Sequence, residues 1–234
     1  MKSKNLVKNL SVATALAIGV TALTPTASHV YAAENNENTS VSNTNAFNQA
    51  EIEKRADYMP SVHEMSQQER ELFDRVVQEE AELNGGDNKE LYKQVITDFY
   101  DETSGHAYDL DYAQAVVQEN TPAPSIPEGA YASLKLGIGT KIAGSVLNVA
   151  IGVAVGGGVG AIQAFIISKG KKEAQKIFTR TVVSRLNAWG ASKLAWTVGF
   201  AVAVAMDYAN IGYQIAVQID KRDKRPNNGY IDFV

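Results

Sequence analysis

Histidine is the side chain best suited to moving protons near neutral pH, and beyond residue 32 this 234-residue chain has two, His63 and His106. His63-Glu64 lacks the second histidine four residues on that a zinc-protease helix needs. Asp98, Asp101, Glu102, Asp109 and Asp111 could offer hard oxygen ligands to calcium, but their spacing does not follow the twelve-residue EF-hand loop. With no cysteine, disulfides, thiolate zinc sites and thiol catalysis are all excluded. The chain carries no G-x-S-x-G elbow, no phosphate-binding loop and no dinucleotide fingerprint. Paired carboxylates of the glycosidase kind are defined by their separation in space, which a sequence does not carry. These residues predict a non-enzyme with no cofactor and no metal, and the acids read as surface.

The elements that would position any site divide by charge. Residues 33–128 carry 21 acids against 6 bases, and residues 129–234 carry 13 bases against 5 acids. Ahead of both, Lys2, Lys4 and Lys8 precede an uncharged stretch from Leu10 to Leu23, Pro25, and Val30-Tyr31-Ala32. That is the pattern of a secretory signal peptide over 1–32, with cleavage after Ala32 and secretion of the remainder. Its apolar stretch is short for a bilayer span. Residues 33–46 are Asn-rich and poor in large apolar side chains, which predicts a disordered leader.

The acidic region, 47–120, reads as short helices. Ser66-Gln67-Gln68-Glu69 is a capping box, and the helix it opens should run to Leu83 and stop at Asn84-Gly85-Gly86. Leu72, Phe73, Val76, Val77 and Leu83 form its apolar stripe. Asp87-Asn88-Lys89-Glu90 opens a second helix carrying Leu91, Val95, Ile96 and Phe99, ended by Ser104-Gly105. A third is predicted over 109–118. Two readings stand for this region: a solvated acidic bundle, or a unit that covers and neutralises the basic half.

Residues 121–129 hold Pro122, Pro124 and Pro127 and read as an extended linker. In the hydrophobic and basic region, 130–221, no charge interrupts Ile142 to Ser168. Twenty-seven residues make a straight helix of about 40 Å, enough for the roughly 30 Å hydrocarbon core. Gly156-Gly157-Gly158 predicts a bend or break in water. Gly152, Gly156 and Gly160 repeat at four-residue spacing, a glycine-zipper pattern for helix association in lipid or for tight packing in a soluble bundle. Residues 171–193 form a basic amphipathic helix. Lys169, Lys171, Lys172, Lys176, Arg180, Arg185 and Trp189 are candidates for contact with an anionic membrane surface. Asp207 divides two further uncharged stretches, and would be an intramembrane or buried polar residue if they formed one helix. Residues 222–234 read as a polar tail.

Two uncharged helical stretches joined by a cationic amphipathic helix, over residues 130–219, resemble secreted Gram-positive membrane-active proteins of the bacteriocin-like and helical pore-forming kinds. The resemblance is one of style and carries no functional residue across. The residues themselves predict an all-α fold, with a Pro-rich linker between an acidic helical region and a Gly/Ala-rich hydrophobic helical bundle or hairpin, and the resemblance implies anionic membrane lipids as partner and self-association. Nucleic acid is not an expected partner. The alternative expectation is a secreted all-helical interaction module with no membrane step.

Overall fold

The computed structural model describes residues 47–107, 112–113, 116 and 137–232. The expected signal peptide, leader and Pro-rich linker, and nearly all of the helix expected over 109–118, lie outside these residues. The described chain is predominantly helical, in the order α1 (Gln49–Asp57), α2 (Gln67–Asn84), α3 (Lys89–Phe99), β1 (Gly137–Gly139), α4 (Thr140–Val155), α5 (Val159–Lys169), α6 (Lys171–Ala188), α7 (Ala195–Ala205), α8 (Ile211–Asp220) and β2 (Tyr230–Asp232).

Local chemistry accounts for the helix ends. Ser66 and Glu69 close the expected capping box at α2, and Asn48 and Glu51 form another at α1. Gly85 ends α2 and Gly86 takes a left-handed φ of 56°. Three expectations shift. Leu83 is 47% exposed, and the inward places near it are taken by Glu80 and Ala81. Asn88 caps α3 without a side-chain hydrogen bond. That helix stops at Phe99, short of Ser104-Gly105, because Tyr100 turns inward and its hydroxyl donates to the Val146 carbonyl at 2.7 Å.

α4 is the axis of the fold. Every residue from Ile142 to Ala154 is buried, the condition in which a helix apolar on all sides is stable in water. α8 packs against it most extensively, and α2, α6, α1 and α5 cover the rest. The acidic helices α1–α3 therefore do not form a core of their own. One continuous apolar cluster runs from Ile52 through Phe73, Ile96, Leu147 and Phe178 to Ile219 and Ile231.

The polar tail is folded over its described residues, 222–232. β2 pairs antiparallel with β1, with Ile231 opposite Ile138. Asp220 accepts hydrogen bonds from the Asn228 and Gly229 amides at 3.1 and 3.2 Å, and Arg225 grips the buried Asp232 through Nε at 3.1 Å and Nη2 at 2.5 Å. Such a turn is invisible to charge patterning. Alternating signs describe a solvated segment equally well until the carboxylates find their partners.

Candidate functional site

The uncharged run folds as the bent pair α4–α5, its axes turned by 54° at the glycine triplet. Among the described residues no single helix is long and apolar enough to cross a membrane, but the two halves of this pair together meet the length and composition of a span. Each glycine of the triplet has a separate task. Gly156 takes φ 98° and ends α4. Gly157 packs beside Ala161, with its carbonyl against Gly152. Gly158 leaves room for the Glu79 carboxylate, which accepts the Val159 amide at 3.2 Å and caps α5 from α2. Gly158→Ala should push that carboxylate aside and cost on the order of 1 kcal/mol, the usual worth of an N-cap. Thermal unfolding of the variant measures it.

The association face read from Gly152, Gly156 and Gly160 is not a face. The break at Gly156 puts Gly160 on another helix, exposed and with open space around it. Gly152 meets Val76 of α2, and Gly156 lies under the Phe47 ring. The close approach between helices is made by a pair the spacing did not mark, Gly144 on α4 against Gly212 on α8. A Cβ on Gly144 would lie 2.5 Å from Tyr213 Cα, and one on Gly212 would overlap the Gly144 carbonyl oxygen. No sequence signal distinguishes these two glycines from the rest, because they lie 68 positions apart and align only after folding.

A polar seam runs along α4 beneath α2 and α3. Tyr92 Oη and Ser145 Oγ are 2.7 Å apart. Asn148 Nδ2 donates to Asn210 Oδ1 at 2.8 Å, and Asn148 Oδ1 accepts the Gly212 amide at 2.6 Å. Glu80, fully buried, receives one hydrogen bond from Asn84 Nδ2 at 3.0 Å, while its Oε1 has no donor in bonding geometry. Burial pushes the Glu80 carboxyl up to about 7, with Ser145, Asn148 and Asn84 nearby opposing the rise. Burial also pushes the Tyr92 phenol up, keeping it neutral. Sequence patterning missed Glu80, since one acid among many on an amphipathic helix carries no mark of which will be covered.

On the opposite flank, α1 is clasped to α6 by charge. Arg180 donates to Asp57 through Nε at 2.9 Å and also through Nη2, and its Nη1 lies 3.4 Å from Glu53 Oε2. Lys176 Nζ reaches Glu53 Oε1 at 3.3 Å, and Ser184 Oγ donates to the Asp57 carbonyl at 2.6 Å. Hydrogen bonds from Gln49 and then Lys176 hold the Glu53 carboxyl below its ordinary range. Here two acids of α1 are matched by two bases of α6.

The seven membrane-surface candidates are consequently dispersed. Lys176 and Arg180 are engaged in the clasp. Arg185 is buried with Nη2 on Ser184 Oγ, and Trp189 packs edge-on against Phe99 with ring centres 5.8 Å apart. Lys171 pairs with Asp207, while Lys169 and Lys172 are exposed. Asp207 is neither buried nor within a helix. It sits exposed in the turn where α7 and α8 fold back as a hairpin, because an unpaired charge in mid-helix would have to be buried whereas a turn leaves it in water.

Of the residues with catalytic chemistry, His63 Nε2 lies 3.0 Å from Asp101 Oδ1 and 3.1 Å from Thr103 Oγ1 on an exposed turn. His106 stacks on Tyr112. Among the described residues no group of three or more histidine and carboxylate side chains is arranged to hold a metal ion. No known protein family matches the chain, and neither does any curated protein or solved structure.

Proposed function

We propose that this is a secreted membrane-active protein in its closed, water-compatible form, whose α4–α5 pair passes into an anionic bilayer when the helices around it separate. The reading rests on one observation: α4, the first half of the longest uncharged helical stretch of the described chain, lies buried at the centre under α8, α2, α6 and α1, and α5 continues it towards the surface. Besides the shared apolar cluster, this sheath of helices is held by polar contacts that can be weakened, the α1–α6 ion pairs by salt and the seam around Glu80 by a change of its charge. Once uncovered, the amides in the interior of α4 and α5 stay bonded within each helix, as hydrocarbon requires, and the Val159 amide that Glu79 caps in the closed form takes a new acceptor. Self-association follows insertion, with Gly144 left open for a second helix when α8 moves away.

Dye release from vesicles tests this. The mature chain at micromolar concentration should empty anionic vesicles and spare zwitterionic ones. Reversing the clasp with Glu53→Lys and Asp57→Lys should speed release. No release from anionic vesicles by either protein overturns the proposal.

The filled interior around α4 favours a second reading, a secreted all-helical interaction module that never meets lipid. Under that reading the mature protein stays in the supernatant when vesicles are sedimented.

A further inference from the structure

One helix face in this fold has no partner among the described residues. α7 carries no charged residue, and its outward stripe runs through Trp196, Phe200 and Ala203, spaced by four and three residues. Trp196 is 74% exposed and Phe200 52%. Large aromatics this exposed are costly in water and mark interaction surfaces when they adjoin one another. The other face of the helix is spent on the core through Val198, Ala201, Val202 and Ala205.

The edges of this stripe are cationic. Lys193, exposed, stands one turn before Trp196. Arg222, from the end of α8, lays its guanidinium over the Phe200 ring, 3.9 Å from the centroid. The hydrogen bonds of Arg222 Nη1 go to Gln218, to its carbonyl at 2.9 Å and its side chain at 3.1 Å, and among the described residues no carboxylate pairs with its charge. The acids near it are engaged elsewhere: Asp220 by the Asn228 and Gly229 amides, Asp223 by the Arg225 and Asp232 amides, and Asp207 by Lys171. An apolar stripe of Trp and Phe with Lys and Arg at its rim suits the boundary between headgroups and acyl chains. The rings sit at headgroup depth there, and the cations reach back to phosphate.

We infer that the α7 face, Trp196 and Phe200 with Lys193 and Arg222, is the surface by which the closed protein first docks on an anionic lipid bilayer, before any helix is released. The inference deepens the membrane-active reading and rests on it, but it concerns binding and not release. The two fail separately.

The chain has two tryptophans, so a Trp189→Phe background leaves Trp196 as the only indole reporter. With vesicles containing phosphatidylserine its emission should shift to the blue, and with phosphatidylcholine alone it should not. In a flotation assay with the otherwise unaltered mature chain, the double substitution Trp196→Ser, Phe200→Ser should lower partition about tenfold or more. Lys193→Glu with Arg222→Glu should lower it too, and should remove the salt dependence. Melting temperatures close to the parent are expected, since the Trp196 indole in particular touches little of the core. Single Trp196→Ser is the companion variant should the double one unfold.

Partition unchanged by these substitutions overturns the inference, and unchanged dye release alongside it would leave the membrane-active reading intact with docking elsewhere. Binding through Trp196 without release would keep the docking face and remove the insertion step. A dimer in sedimentation velocity that the Trp196 and Phe200 substitutions abolish, with no vesicle binding, would assign the face to a second copy of the chain and overturn the inference.

Discussion

Alanine at Gly144 or at Gly212 is expected to lower the melting temperature by about 6–12 °C, corresponding to about 3 kcal/mol in a domain of this size. The atoms in the way are backbone: Tyr213 Cα and amide nitrogen, 2.5 and 2.8 Å from a Gly144 Cβ, and the Gly144 carbonyl beside a Gly212 Cβ. Backbone of two packed helices cannot step aside as a flexible side chain would. α4 and α8 must move apart, losing contacts along their whole crossing. Separation also strains the 2.6 Å hydrogen bond from the Gly212 amide to Asn148 Oδ1, whose buried partners would then go unmatched. Against this stands a gain of up to about 1 kcal/mol from replacing glycine in a helix, already included in the net figure. Gly160→Ala is the control. It has nothing within 4 Å, and should leave stability unchanged or a few tenths of a kcal/mol higher. Thermal melts by circular dichroism compare the three. Equal melting temperatures for all of them would refute the close crossing.

The second large effect is a dependence on pH carried by Glu80. Its carboxyl titrates at about 7 in the folded chain against an ordinary value of 4.5. The folded protein thus binds this proton more tightly than the unfolded one, so stability rises as the pH falls from above 7 toward 4.5. The difference is about 3 kcal/mol between the two limits. Carboxyls held low in the fold act in the opposite sense. Glu53, Glu69, Glu82 and Asp101 lose their stabilising partners only as the pH drops below the ordinary carboxylate range. Denaturant titration across pH should therefore place maximum stability near pH 5. Glu80→Gln, which keeps an acceptor for Asn84 and carries no charge, should flatten the slope between pH 5 and 8 and raise stability at pH 8. A parent protein equally stable at both pH values would refute the burial of an ionisable Glu80. If α2 is part of a removable sheath, the same substitution should also slow dye release at pH 8, because it strengthens the seam between α2 and α4.

Much of this protein was legible in its residues one segment at a time. Ser66 with Glu69, Asn84 followed by glycines and the Gly156-Gly158 break each depend on groups within a few positions of one another, and the chain folds there as the spacing indicates. The same holds for the helical class and for the amphipathic α6, whose Ile177, Phe178, Val182 and Leu186 all face inward. The charge reversal between the halves left two readings open, a solvated acidic bundle or a match with the basic half, and named no pair.

The members were decided by packing. Arg180 and Asp57 are 123 positions apart, Gly144 and Gly212 are 68, and β1 and β2 lie at opposite ends of the described C-terminal region. An apolar stripe specifies that a helix face will be covered, but leaves open what covers it, since the hydrophobic effect has no direction. Only when α4 took the centre did one acid of α2 become buried Glu80 while Glu71, Asp74 and Glu82 stayed in water, and only then did the stripe on α7 stay uncovered among the described residues. Residue type determined which segments are helical and where they stop. Shape complementarity among whole helices determined which glycines touch, which charges pair and which aromatic side chains face the solvent.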